Sequence, residues 1–99
     1  EVDVLKVKDI VYKSSNKKFY IDNEEIDLTH LEHDLLLEFI KNKDILLSRE
    51  HLLNSVWQDS FEKKEKTVNV AIKRLKAKID PNAKKEYIRS IRGEGYIFC

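Results

Sequence analysis

Basic side chains recur on one side of the segment 66–79. At about 100° per residue, four apolar residues form a stripe along this segment: Val68, Ile72, Leu75 and Ile79. The opposite side carries basic, small and partly apolar residues: Lys66, Thr67, Val70, Lys73, Arg74 and Ala77. Cationic side chains neutralise phosphates, and small side chains allow close approach to a nucleic-acid groove. The spacing predicts a helix buried on one side and suited to a DNA groove on the other.

Individual residues of this segment have different expected roles. Arg74 is the predicted base reader, because a guanidinium can make paired hydrogen bonds to guanine O6 and N7; the alternative is a solvated arginine paired with a nearby carboxylate. Lys73 and Lys76 are predicted phosphate contacts, since lysine is a mobile point charge, although each could be inert. Val70 could meet a thymine methyl group or pad a neighbouring helix.

Composition bounds the class of protein. Ninety-nine residues with 41% hydrophobic side chains suit one folded domain. Residues 1–62 carry 8 Lys/Arg and 14 Asp/Glu, whereas residues 63–99 carry 11 and 4. This segregation suggests a polyanion-facing half, or two halves that neutralise each other across the fold. No run of 18 apolar residues exists, so no membrane partner is expected. The single cysteine, Cys99, fits a reducing compartment and has no assigned role.

The order of elements predicts an α+β fold. Residues 4–28 alternate β-rich runs with turn clusters, which predicts an antiparallel sheet. Helices are predicted at about 29–42, 49–57 and 65–79, the first two opened by the caps Thr29 and Ser48. Ile45–Leu47 is interpreted as a short apolar link. Residues 87–98 predict a hairpin with a glycine-rich turn. Strands, three helices and a terminal hairpin together predict a single winged helix-turn-helix domain over 1–99.

Four ordered blocks carry a resemblance to a known family. They are Leu28-Thr29-x-x-Glu32-x-x-Leu35-Leu36, Ser48-Arg49-Glu50-x-Leu52-Leu53-x-x-Val56-Trp57, Thr67-Val68-x-Val70-x-Ile72-x-Arg74-Leu75-x-x-Lys78, and Arg92-Gly93-x-Gly95-Tyr96. From about residue 5 to 99 the chain resembles the OmpR/PhoB-type effector domain, the DNA-binding half of two-component response regulators. The resemblance implies sequence-specific binding to double-stranded promoter DNA in transcription control.

The resemblance also implies residue roles. The major-groove helix and its flanking phosphates would be contacted by Lys66, Thr67, Lys73, Arg74 and Lys76. Trp57 would end the preceding helix near a backbone phosphate, although its area favours a place in the core. Ser90 and Arg92 would lie on the hairpin that reaches the minor groove, with a cross-strand salt bridge as the alternative for Arg92. The loop 58–65 would correspond to a segment that touches RNA polymerase in some members.

Several positions depart from the family pattern. Lys66 stands where Arg is frequent and loses bidentate geometry, so a phosphate contact is expected there. Asn69 stands where Asp is frequent, and Ala71, where His is frequent, cannot donate to phosphate. His33 stands where an aromatic residue is usual. Glu94 puts an anion beside Arg92 in the hairpin turn and would weaken a minor-groove contact.

The resemblance further implies partners outside this chain. Because the chain has no methionine and starts at Glu1, we expect it to be a fragment of a longer protein. The resemblance implies that this protein is bacterial and cytoplasmic and belongs to a phosphorelay. A receiver domain would precede it, and homodimers would form on DNA from domains that are monomeric in isolation. The alternative function is a winged-helix protein-interaction module without DNA binding, using the loop 58–65 and the helix 49–57.

Other chemistries lack the residues that they need. The histidines His30, His33 and His51 have no cysteine nearby to complete a metal site. Ser48 is a cap without an adjacent base, so no nucleophile is predicted. Gly93-Glu94-Gly95 falls in a hairpin rather than between a strand and a helix, so it is not a phosphate loop. No enzyme activity, cofactor or metal is expected.

Overall fold

A four-stranded antiparallel meander forms the N-terminal part of the fold. The computed structural model describes residues 4–57, 65–81 and 84–98. The sheet has the order β1-β2-β3-β4, with strands Val4–Val7, Ile10–Lys13, Lys18–Ile21 and Glu24–Glu25. Asp22 and Asn23, at φ 52° and 67°, join β3 to β4. A two-residue turn with both φ angles positive matches the twist of antiparallel strands, and Asp and Asn tolerate it. Local turn chemistry therefore sets this register.

The first helix, α1 (His30–Lys41), begins at the predicted capping box. The Thr29 hydroxyl accepts the backbone N–H of Glu32, while the Glu32 carboxylate accepts the backbone N–H of Thr29. The helix ends where the Asn42 N–H donates to carbonyls of the last turn. Its buried side contains Leu35, Leu36, Phe39 and Ile40.

Helices α2 (Arg49–Val56) and α3 (Glu65–Ile79) complete the helical layer. The Ser48 hydroxyl accepts the backbone N–H of His51 and caps α2, as predicted. The apolar stripe of α3 is buried, with Val68, Ile72, Leu75 and Ile79 at most 3% exposed. Ala71 joins this buried side at 7% exposure. Burial of one stripe commits the other side of α3 to the surface.

A second sheet has the order β5-β7-β6. Its strands are β5 (Leu46–Leu47), β6 (Ile88–Ile91) and β7 (Gly95–Phe98). The interpretation of Ile45–Leu47 as a mere link was wrong for Leu46 and Leu47, which pair with Ile97 and Tyr96. Two residues are too few for alternation to signal a strand, and their partners lie about 50 residues away along the chain. The β6–β7 hairpin, called the wing below, is thus anchored to the segment before α2.

The core joins both sheets and all three helices. It contains Ile10, Tyr12, Phe19, Leu35, Leu36, Phe39, Ile40, Leu47, Leu52, Leu53, Trp57, Val68, Ala71, Ile72, Leu75, Ile79, Tyr87, Ile88, Tyr96 and Phe98. The predicted α+β winged helix-turn-helix is confirmed. Among the described residues no helix is long and apolar enough to cross a membrane.

Candidate nucleic-acid interface

The solvent side of α3 presents three cations around an apolar centre. Lys66, Lys73 and Arg74 are exposed, and Val70 is 43% exposed. Ala77 is also exposed on this side. We call these five residues the exposed face of α3. Short side chains between long cationic ones leave the helix axis accessible to a groove.

Two further residues predicted on this helix lie at its flanks. Thr67 and Lys76 are half-buried rather than fully exposed. Ala71, which cannot donate a hydrogen bond to phosphate, is a core residue, so this position packs against the protein. The exposed surface of α3 is therefore narrower than the set of residues predicted from the sequence indicates.

The cations of this surface have no ionic partners within the described ranges. No ion pair or hydrogen bond joins Lys66, Lys73, Arg74 or Lys76 to residues 4–57, 65–81 or 84–98. The alternative for Arg74, pairing with a nearby carboxylate, is not seen there. Lys78 on the same helix is different, because it forms a salt bridge with the buried Glu32. Unpaired cations on one face give a positive potential that attracts polyanions.

Trp57 lies at the junction between α2 and the interface. It is 5% exposed, belongs to the core and supplies the cap of α2, where its backbone N–H donates to Leu53 O at 3.1 Å. No fully buried side-chain nitrogen or oxygen of the described residues lacks a hydrogen-bond partner. The indole N–H of Trp57 has no partner within the described ranges, so this group is not fully buried although the ring belongs to the core.

The wing presents its own polar edge. Ser90 on β6 and Arg92 in the turn are exposed, as is Arg89, which is not among the residues predicted from the sequence. The Glu94 N–H donates to Ile91 O at 3.0 Å, and Gly93 at φ 78° takes the positive-φ position that a type II turn requires. In the described part of the chain, Arg92 has no cross-strand salt bridge. The wing tip therefore carries a free cation beside the exposed Glu94.

One groove brings the helix and the wing together. Lys76 of α3 and Arg89 and Ser90 of β6 line the same groove. Their side chains are thus neighbours although 13 or more residues separate them in the sequence. Arg89 could have been found from the alternation of β6, in which Ile88 is buried and Arg89 exposed. The groove thus joins α3 to the wing, and acidic side chains line it together with the cations.

A second group of contacts beside α3 was not predicted. The Asn69 Oδ1 accepts a hydrogen bond from Arg49 Nε at 3.1 Å and another from the Tyr96 hydroxyl. The Arg49 guanidinium also lies 5.5 Å from the centre of the Tyr96 ring. All three residues occur in or beside the family motifs, but nothing in their spacing indicates that they touch. This cluster joins α2, α3 and the wing at the edge of the interface.

The C-terminal end of α3 is held by buried or partly buried charges. Burial would raise the pKa of Glu32, but hydrogen bonds from Lys78 and Thr29 outweigh burial and lower that pKa below its usual value. The Asp80 carboxylate accepts the backbone N–H groups of Lys84, Lys85 and Glu86 at 3.0–3.1 Å. These contacts set where α3 stops and how the chain turns towards β6.

The histidines serve the scaffold. His33 packs edge-on against Tyr12 and Phe19 at ring-centre distances of 5.6 and 5.1 Å, so it fills an aromatic site. His51 bonds Glu38 at 2.8 Å. Within residues 4–57, 65–81 and 84–98, no three His, Cys, Asp or Glu side chains form a group that could hold a metal. Residues 58–64 of the predicted polymerase-contact loop 58–65 lie outside the described residues.

A capped helix pair, an exposed cationic helix face and an adjoining cationic wing define a winged-helix DNA-binding domain. The family described as "Transcriptional regulatory protein, C terminal" matches residues 23–98. The chain belongs to this family, as an OmpR/PhoB-type effector domain of the response regulators, which control transcription by binding DNA.

Particular relatives agree with this class. Response regulator ArlR of Staphylococcus aureus (strain MW2) is 34% identical over 95 residues, which are 96% of this chain and 43% of the relative. The Thermotoga maritima response regulator DrrB, an OmpR/PhoB homologue, superposes with a TM-score of 0.83 at 26% identity, over 96% of this chain and 43% of that one. The Klebsiella pneumoniae RstA DNA-binding domain, solved with the RstA box, shares the fold at a TM-score of 0.85 and 24% identity, over 98% and 97%. The chain spans less than half the length of the curated relatives it matches.

Proposed function

We propose that this domain binds double-stranded promoter DNA with α3 in the major groove and the wing in the adjacent minor groove. The proposed DNA contacts are Trp57, Lys66, Thr67, Val70, Lys73, Arg74, Lys76, Ser90 and Arg92. One observation carries the proposal: the cations on the exposed face of α3 and Arg92 at the wing tip are exposed and have no ionic partner within the described ranges. A protein-interaction module would not need such a face.

The roles within this set differ by chemistry. Arg74 reads a base edge, since its guanidinium offers paired donors to guanine, and Val70 meets a thymine methyl group. Lys66, Lys73 and Lys76 neutralise phosphates. The Trp57 indole N–H serves a backbone phosphate, and Arg92 enters the minor groove, where the potential is most negative. Binding energy thus comes mainly from phosphates, and sequence preference from Arg74 and Val70.

The relatives support one partner beyond DNA, a receiver domain in the same protein. The C-terminal position of the family domain and its share of about 43% of the ArlR sequences support a receiver domain preceding this one. We further propose a bacterial cytoplasmic protein that dimerises on DNA and contacts RNA polymerase through 58–65. Size measurement of the domain with and without a two-site duplex tests the dimer, with one domain per site expected on DNA and a monomer without it.

Two alanine variants test the division of roles. Arg74→Ala should weaken binding to a duplex selected from a random pool by about tenfold to a hundredfold, and binding to a scrambled duplex much less. Lys73→Ala should weaken both duplexes alike and reduce the slope of log K against log salt by about 1. Fluorescence anisotropy titrations at several salt concentrations measure both quantities.

A matched control separates these effects from net charge. Lys6 is an exposed lysine on β1, in the other sheet, and Lys6→Ala removes the same charge. It should leave both affinities nearly unchanged. Equal losses on both duplexes for Arg74→Ala would remove its base-reading role. Failure of the unaltered domain to bind any duplex would remove DNA binding itself and favour the protein-interaction module.

A further inference from the structure

The Asn69 side chain lies where the DNA-facing elements meet. It is exposed on α3, three residues after Lys66 and four before Lys73. Residues at these spacings are neighbours on a helix surface. Asn69 also contacts Arg49 at the start of α2 and Tyr96 on β7. This single side chain therefore adjoins two proposed phosphate contacts, the helix-turn-helix and the wing.

Two donors fix which way the Asn69 amide points. Arg49 Nε–H and the Tyr96 O–H both donate to Oδ1. An amide NH₂ group is only a donor, so it cannot replace the oxygen in the contact with Arg49 Nε–H. The Arg49 side chain on α2 and the Tyr96 hydroxyl on β7 both contact the Oδ1 side of the amide, and the Arg49 guanidinium also contacts the Tyr96 ring. The Nδ2 group is consequently directed away from both, with its orientation set before any ligand arrives.

The remaining donor group has no protein acceptor in the described part of the chain. No hydrogen bond joins Asn69 Nδ2 to residues 4–57, 65–81 or 84–98. Asn69 is exposed, so its side chain is accessible to an external acceptor in the free domain. A fixed NH₂ group on a cationic surface matches an acceptor on an anionic ligand, and its pre-set orientation lowers the entropy lost on binding.

We propose that Asn69 is a DNA-contacting residue, whose Nδ2 donates a hydrogen bond to an acceptor on the duplex. Arg49 and Tyr96 are its positioning residues. This inference rests on the proposed function and assigns a residue outside the set given there. The acceptor is a phosphate oxygen or the acceptor edge of a base, both of which an amide can recognise.

Replacement of the amide by a carboxylate separates a structural role from DNA contact. In Asn69→Asp the carboxylate still accepts from Arg49 and Tyr96 and gains an ionic partner, so the urea midpoint should stay equal or rise. The donor is lost and an anion faces DNA, so affinity for the selected duplex should fall about tenfold to a hundredfold. Asn69→Ala, which adds no charge, should lower affinity at least about fivefold.

A control in the other sheet carries the same change of charge. Asn23 is exposed in the β3–β4 turn at φ 67°, which aspartate tolerates, so Asn23→Asp should leave affinity within about twofold. Anisotropy titrations with a selected and a scrambled duplex distinguish the acceptors. Equal losses on both duplexes identify a phosphate oxygen, and a loss confined to the selected duplex identifies a base edge.

Three outcomes would overturn the inference. Binding of both duplexes by Asn69→Asp as tightly as by the unaltered domain would mean that Asn69 is purely structural. Full affinity of Asn69→Ala would mean that any affinity loss in Asn69→Asp comes only from repulsion by the introduced anion. Losses that Asn23→Asp reproduces would be effects of net charge. In each case the unaltered domain still binds DNA, so these results differ from failure of the proposed function, in which it binds neither duplex.

Discussion

Residues of one type have opposite roles on α3. Lys73 is exposed and has no ionic partner in the described ranges, whereas Lys78 forms a salt bridge with Glu32, which is 5% exposed. Both are lysines in the C-terminal half of one basic helix. Their positions around the helix axis decide the outcome, because Lys78 faces the N-terminus of α1 and Lys73 faces away from the core. Charge alone therefore does not identify a DNA contact.

The Glu32 carboxylate makes an acid-sensitive contribution to stability. Burial raises its pKa, but the hydrogen bonds from Lys78 and Thr29 prevail, and the folded-state pKa lies below the ordinary value of 4.5. A depressed pKa means that ionised Glu32 stabilises the fold above about pH 4.5 and loses this effect as pH falls through the folded value. Glu32→Gln should lower the free energy of unfolding at pH 7 by about 1–3 kcal/mol.

Urea unfolding at pH 7 and pH 3 measures this contribution. The difference between Glu32→Gln and the unaltered domain should be larger at pH 7 than at pH 3. Glu24→Gln is the control, because Glu24 is exposed on β4 and has no ion pair in the described part of the chain. A Glu32→Gln deficit that is the same at both pH values would contradict the charge-based account.

At the scale of elements, the wing depends on one close backbone approach. A Cβ on Gly95 would collide with the Leu47 carbonyl oxygen and lie 2.9 Å from Ser48 Cα. A Cβ on Gly93 would meet nothing within 4 Å. Gly95 thus lets β7 lie against β5 and the cap of α2, whereas Gly93 only supplies a positive φ to the turn.

The two glycines should respond differently to alanine. Gly95→Ala should lower the free energy of unfolding by at least about 3 kcal/mol, because strain at φ 148° adds to a clash with backbone. Gly93→Ala should cost only about 1–2 kcal/mol of positive-φ strain. Chemical denaturation measures both. Similar losses for the two variants would mean that the Leu47 backbone moves aside and that wing placement does not need this contact.

At the scale of the whole molecule, one polar cluster links the two sheets. The Asp9 carboxylate, in the β1–β2 turn, accepts from Lys85 Nζ and from the Tyr87 hydroxyl just before β6. Burial and the Asp9 carboxylate raise the pKa of Tyr87 to about 12. The pKa of Asp9 is lowered, since the bonds from Lys85 and Tyr87 outweigh burial, which acts to raise it. The cluster therefore holds the wing's base against the N-terminal sheet.

This link should weaken in alkali. Tyr87 stabilises the fold while its hydroxyl is protonated, below the ordinary pKa of 10.0, and this contribution is lost as pH rises through about 12. Tyr87→Phe should lower the free energy of unfolding at pH 8 by about 1 kcal/mol. Between pH 9.5 and 11.5, the free energy of unfolding should fall less in Tyr87→Phe than in the unaltered domain. Urea titrations across this range test it, and identical alkaline losses would exclude Tyr87 as the titrating group.

Local patterns alone determined the elements and their surfaces. The capping box at Thr29, the cap at Ser48 and the stripe from Val68 to Ile79 act over three to eleven residues, within the range of backbone hydrogen bonds and helical spacing. The exposure of Arg74 followed from that stripe, because burial of one side of a helix leaves the other in solvent. The four motif blocks then indicated the family.

Contacts between residues far apart in the chain depend on the tertiary structure. Leu46 and Leu47 become a strand because β7 supplies their hydrogen-bond partners, and Ala71 is buried because the fold covers its side of α3. The Oδ1 of Asn69 accepts from Arg49 and Tyr96, 20 and 27 residues away. Such contacts depend on how whole elements pack, and sequence spacing beyond one element carries no information on that packing.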